Sequence, residues 1–166
     1  MSERRWVDPD NWCWRDGPVD PGETVVFDMD GVLSDATRRQ HYLEWPRRDW
    51  ESFFEECGDD ALIDEVARLL DCLDPELRIV LLTARPIRVQ PQTLRWLDRY
   101  GLRWDLLIMR DWGDYMAAPH FKRLTTQELR AFGFDLRLAF EDDQRNVDMF
   151  HSEGVPCVYI HSGYHT

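Results

Sequence analysis

The chain has 166 residues, the size of one ordinary domain. Its 43% hydrophobic content can fill a core, yet no apolar run approaches the ~20 residues of a membrane-spanning helix. A net charge of −12 argues against tight, non-specific binding to nucleic acid, which needs many cations against phosphates.

Residues Met1 to Arg15 mix Arg, Asp and Trp and lack the apolar centre of a signal peptide, so a cytoplasmic protein with no membrane partner is expected. Residues 1–23 carry Trp6, Trp12, Trp14 and three prolines, and read as an irregular arm packed on the domain that follows, 24–166. Gly17 to Thr24 nearly spells a P-loop. Glu23 stands where lysine must meet phosphate, however, and a strand follows in place of a helix.

Five apolar, β-rich runs come next: Thr24 to Asp28, Arg78 to Thr83, Asp105 to Met109, Leu136 to Phe140 and Cys157 to Ile160. They are continuous rather than alternating, as parallel strands covered on both faces are. Between them lie helical stripes, such as Leu62, Val66, Leu69, Leu70 and Leu73, or Leu94, Leu97 and Tyr100. Gly101, Gly133 and Gly154 each close a helical pattern shortly before a strand. This order predicts an α/β fold, a three-layer doubly wound parallel sheet with ligands beyond the carboxyl ends of its strands. Residues 35–73 form a short helical insert after the first strand, broken at Pro46, and leave no room for a large cap. Its aromatic residues Tyr42, Trp45, Trp50, Phe53 and Phe54 read as core rather than as a stacking platform.

Charge is unevenly spread. Asp49 to Glu65 holds eight acidic residues and no basic one, which reads as a solvated helical surface. Of the 20 basic residues, 19 are arginine and one, Lys122, is lysine, as if a compact ammonium were required at that position alone. The four cysteines form no Cys-x-x-Cys pair and read as buried thiols. His161 and His165 read as a polar tail.

The carboxyl ends of the strands supply Asp28 and Asp30, then Thr83 and Arg85, then Asp142 and Asp143, with Lys122 opening the helix before the fourth run. Carboxylates crowded on one rim repel one another unless a cation joins them, and oxygen ligands of this kind suit Mg²⁺. Lys122 would offset the charge of a nucleophile and a phosphate. Thr83 can donate to a phosphoryl oxygen, and Arg85 can clamp substrate oxygens in a bidentate manner.

Phe27 to Leu33 (FDMDGVL), Leu81 to Arg85 (LLTAR), Lys122 and Phe140 to Asp143 (FEDD) resemble, in that order, the four motifs of the haloacid dehalogenase superfamily. The resemblance implies that superfamily's Rossmann-like core and a phosphatase in which Asp28 attacks phosphorus and Asp30 moves protons to the leaving oxygen and from water. It also implies Mg²⁺ held by Asp28, the Asp30 carbonyl and the pair Asp142 and Asp143. Within the superfamily, the tail from Phe140 to Gly163 and the segment Leu94 to Arg110 are similar to the 3′-phosphatase domain of polynucleotide kinase-phosphatases. Arg38 or Arg39, with Arg85, matches the arginines that bind substrate there. That family usually carries an Asp four residues before the motif lysine; this chain has Ala118, with Asp111 and Asp114 nearby. If a kinase belongs to this activity, it is expected on a separate chain.

The expected substrate is therefore a 3′-phosphate end of DNA or RNA, with free nucleotides or small phosphorylated metabolites as the alternative. A phospho-accepting receiver domain, the reading from another class, has its acidic pair after the first strand and its acceptor Asp later, the reverse of the order here.

Overall fold

A six-stranded sheet organises the chain, and the computed structural model describes residues 7–111 and 116–165. Strands β1 (Trp12–Trp14) and β2 (Glu23–Phe27) open it. The insert holds a small antiparallel pair, β3 (Ser34–Asp35) with β4 (Ala61–Leu62), around a 3-10 segment Thr37–Leu43 and helix α1 (Trp50–Glu55). Then follow α2 (Asp64–Cys72), β5 (Arg78–Pro86), α3 (Gln90–Arg99) and β6 (Leu106–Arg110). The last part is α4 (Ala118–Ala131), β7 (Asp135–Glu141), α5 (Gln144–Ser152) and β8 (Cys157–Tyr159).

The strand order is β1-β6-β5-β2-β7-β8, parallel throughout except for β1. Each of the five apolar runs forms one of these strands. Strand β2 shows why its run is continuous: Val25 and Phe27 enter a core with Val66 and Leu70 of α2 and Trp96 and Leu97 of α3. Val26 points the other way, into a second core with Phe121 and Leu129 of α4 and Met149 and Phe150 of α5. Both faces of the sheet are covered, giving three layers. Helices α3, α4 and α5 give way to Gly101, Gly133 and Gly154 at φ +59°, +97° and +75°, the left-handed turn their place in the sequence predicts.

From β2 the chain adds β5 and β6 on one side, then returns to place β7 and β8 on the other. This reversal opens a crevice at the carboxyl end of β2. In register, Phe27 lies beside Leu81 of β5 and Phe140 of β7, so the residues just beyond these three positions converge there.

Several expectations are corrected. The segment 1–23 contributes a regular edge strand, β1, paired with β6 through Trp12 and Ile108. Of the insert's aromatic residues Phe53 is core, but Trp45 is 88% exposed and Trp50 47%. Leu69 and Tyr100, expected in buried stripes, are exposed, because Val66, Ala67 and Leu70 fill the inner face of α2, and Thr93, Trp96 and Leu97 that of α3. Of the four cysteines, all free, only Cys57 is fully buried, and Cys72 is exposed. Among the described residues, no helix is long and apolar enough to cross a membrane.

The insert is tied to the sheet layer through Trp96, which is wholly buried and donates its indole N–H to the Asp60 carbonyl at 2.8 Å. Trp96→Ala is expected to lower unfolding free energy by about 3–5 kcal/mol in urea titration, since it leaves a cavity between α3 and the insert.

Candidate active site

The first turn after β2 sets the geometry. Asp28 continues the strand, its N–H bonded to the Phe140 carbonyl at 3.0 Å. Met29 is buried in the core, so Asp28 and Asp30 flank it and turn toward the crevice. The Met29 carbonyl accepts from the N–H groups of Val32, Leu33 and Ser34, which curls the loop tightly. Gly31 lies at φ +82°, and a Cβ there would stand 2.2 Å from Asp142 Oδ2. Only glycine lets the first loop and the Asp142 carboxylate approach this closely.

Two charge clusters meet at this loop. The first joins Asp28, Glu141 and Asp142, all buried, with carboxylate oxygens within 4.8 Å of one another. Lys122, 2% exposed on the inner face of α4, donates to Asp28 Oδ1 at 3.0 Å and also to Glu141 Oε1. Three carboxylates against one ammonium leave two negative charges. Burial drives the Asp28 pKa well above the carboxylate range, and Glu141 and Asp142 add to this while Lys122 opposes it. Burial acts to lower the Lys122 pKa, but Asp28 and Glu141 outweigh it and keep the ammonium charged. Glu141 Oε2 is buried with no hydrogen-bond partner. An excess of buried negative charge and an orphaned oxygen fit a divalent cation with oxygen ligands.

The second cluster is balanced. Asp30 Oδ1 accepts from Arg39 Nη2 at 2.8 Å and from Arg85 at 2.6 Å (Nη2) and 3.1 Å (Nε). Arg39 also grips Asp60 with Nε and Nη2 at 2.8 and 2.7 Å, and Ser34 donates to Asp60 Oδ2 at 2.6 Å. Two arginines thus face two aspartates, and Arg39, Arg85 and Asp60 are all buried. Burial acts to raise the Asp30 pKa, but Arg85 and Arg39 outweigh it and hold the carboxyl at about 2.

The remaining candidates are also placed. Thr83 is buried, and its Oγ1 accepts the Arg85 backbone N–H at 3.1 Å, which leaves the hydroxyl proton free to donate. Of the two neighbouring arginines, Arg39 reaches Asp30, whereas Arg38 turns outward to Glu56 at 3.0 Å. Asp143 lies beside the acidic cluster rather than among its three carboxylates. It caps α5 by accepting the Arg145 N–H at 3.0 Å, and its other oxygen meets Arg145 Nη2 at 2.8 Å. Asp111 is exposed just after β6, and Asp114 lies outside the described residues. Two surface hollows of about 190 Å³ each are lined by none of these side chains.

Three residues escape the sequence reading. Glu141 stands inside the FEDD motif, and its place at the end of β7, facing the helix of Lys122, is the signal that could have found it. Asp60 hides in the acidic run, of which it is the buried member. His165, expected in a polar tail, lies 3.3 Å from Asp142 Oδ2, and that contact raises its pKa.

Phosphatases of the haloacid dehalogenase superfamily are built on this sheet and this crowding of carboxylates, and the chain is one of them. The match extends to a single family: a model of the polynucleotide kinase PNKP phosphatase domain matches residues 22–165, and the chain belongs to that family. No curated protein sequence matches it. A chain of the Pnkp1/Rnl/Hen1 RNA repair complex is 25% identical with a TM-score of 0.69, over 95% of this chain and 48% of that one. A second structure of the Pnkp1/Rnl/Hen1 complex gives 24% identity and a TM-score of 0.72, over 95% and 51%. This chain thus spans about half the length of those it resembles there. The class C acid phosphatase from Bacillus anthracis with tungstate bound shares the fold at 14% identity and a TM-score of 0.63, over 90% and 70%.

Two measurements test the clusters. Asp60→Asn leaves Arg39 with one carboxylate in place of two, and is expected to cost about 3 kcal/mol of stability in urea titration. Magnesium is expected to raise the thermal midpoint of the wild-type protein, an effect that Asp142→Asn abolishes.

Proposed function

We propose that the chain is a Mg²⁺-dependent phosphomonoesterase that works through a phosphoryl group carried on Asp28, with 3′-phosphate ends of DNA or RNA as substrate. The observation that carries this reading is the uncompensated negative charge of Asp28, Glu141 and Asp142 around one buried lysine. The cation would be held by Asp28, Asp142 and the Asp30 carbonyl, with Asp143 as the alternative carboxylate. It would offset the charge of the nucleophile and polarise the phosphoryl group.

Asp28 Oδ attacks phosphorus, and the ester bond to the leaving oxygen breaks. Asp30 gives that oxygen a proton, then takes one from the water that hydrolyses the acyl phosphate. For this, Arg39 and Arg85 turn from Asp30 to the phosphoryl oxygens, which offer the same planar, bidentate match, and the buried Asp30, relieved of both guanidinium groups, takes from solvent the proton it then gives. Thr83 donates its hydroxyl proton to another of those oxygens. Lys122 opposes the rise of the Asp28 pKa, the cation would add to that pull, and together they favour the ionised nucleophile and offset charge in the transition state. Arg38, on the solvent side of the same segment, meets more distant parts of the substrate.

Family membership supports the polynucleotide end as substrate, and the short insert supports a site open enough to take it. The free thiols fit a reducing, cytoplasmic setting. Ala118 in place of the family's acidic residue is what keeps free nucleotides as the second reading.

With magnesium present, a 3′-phosphorylated oligonucleotide is expected to turn over faster than the 3′-mononucleotide or a sugar phosphate. Faster mononucleotide hydrolysis would favour the second reading. Asp28→Asn is expected to fold normally and lose more than about 10³-fold in kcat, and EDTA to silence the wild type. Lys122→Arg should lose on the order of 100-fold in kcat, because the planar guanidinium cannot occupy the point between Asp28 and Glu141. Turnover like the wild type in that variant would remove the lysine from the mechanism.

A further inference from the structure

The segment between the 3-10 turn and α1 is unlike the rest of the surface. In a chain of net charge −12, its residues 44–49 hold two arginines, Arg47 and Arg48, with Glu44 before them and Asp49 after them. Arg47 and Arg48 are exposed, and neither forms an ion pair among the described residues. Between and beside them stand Trp45, 88% exposed, and Trp50, 47% exposed. Asp49, the next acid, accepts the Ser52 N–H at 3.0 Å and caps α1.

This surface is linked to the catalytic loop by a short path of contacts. The Trp50 ring meets the Phe53 ring edge-on at 5.8 Å between centroids. Arg39 lies over that Phe53 ring at 4.4 Å, and its Nη2 is 2.8 Å from Asp30 Oδ1. Two side chains, Phe53 and Arg39, thus separate Trp50 from Asp30.

We infer that Trp45, Trp50, Arg47 and Arg48 form a binding platform for the single-stranded nucleotides just 5′ of the terminal phosphate. Exposed indoles next to unpaired guanidinium groups suit a strand that presents base faces and phosphates in turn. Stacking accepts every base, and a few local cations suffice for a short strand even on an acidic protein. The inference rests on the polynucleotide reading above and adds to it the residues that distinguish a polymer end from a mononucleotide.

The test is steady-state hydrolysis of a 3′-phosphorylated oligothymidylate series, from mononucleotide to octamer, with magnesium. Wild type is expected to gain in kcat/KM with length. Trp45→Ala removes roughly tenfold of that gain through KM, leaves mononucleotide turnover unchanged, and Trp45→Phe restores most of it. Replacing Arg47 and Arg48 by alanine lowers the slope of log KM against log salt by about 0.7 for each phosphate no longer neutralised. If wild type gains with length and the tryptophan and arginine variants gain equally, the platform is overturned while the polynucleotide reading stands. If wild type is indifferent to length, both fall. Equal loss on mononucleotide and octamer would assign these residues to the fold or the reaction centre, and would also overturn the platform.

Discussion

Three buried carboxylates drawn around one ammonium constrain the architecture of this protein. Asp28, Glu141 and Asp142 come from the ends of neighbouring strands, and Lys122 reaches them from the helix that covers the sheet. Such crowding is unfavourable in a dry interior, where each unit of uncompensated charge resists burial. The sheet supplies what holds it together: β2, β5 and β7 are locked in register, and two cores fix their faces. That excess of negative charge is the feature on which the proposed cation and phosphoryl chemistry rests.

Beside this charged cluster lies a neutral one. Arg39 and Arg85 share Asp30, and Asp60 anchors Arg39 from behind. Asp60 in turn is fixed by the Ser34 hydroxyl and, through its backbone carbonyl, by Trp96. The arginines are therefore aimed by the packing of the insert on α3, not by the loop after β2 alone. Asp60 is a positioning residue, and the insert is part of the site's construction rather than a cover laid over it.

The strands are legible in the sequence because burial on both faces leaves unbroken apolar runs, the motif aspartates and Thr83 because they sit where such runs end, and Lys122 because it is the one lysine. Other features depend on contacts that no local pattern encodes. Asp60 carries the same letter as its solvated neighbours, and contacts distant in sequence, with Arg39, Ser34 and Trp96, set it apart. Arg38 and Arg39 are adjacent, and the 3-10 turn alone decides that one faces Asp30 and the other Glu56. Trp45 and Trp50 read as core on composition, since an aromatic letter gives no indication of which way it faces. Glu141 lies within the recognised motif, but its tie to Lys122 needs β7 and α4 to be packed together.

The scarcity of lysine has an outcome for handling the molecule. Its one side-chain amine is closed off from solvent on the inner face of α4. Reagents that acylate or crosslink primary amines, and enzymes that build isopeptide linkages, find no lysine on the surface to attack. Immobilisation and labelling of the folded protein must go through another group, and the exposed thiol of Cys72, on the outer side of α2, is a ready handle.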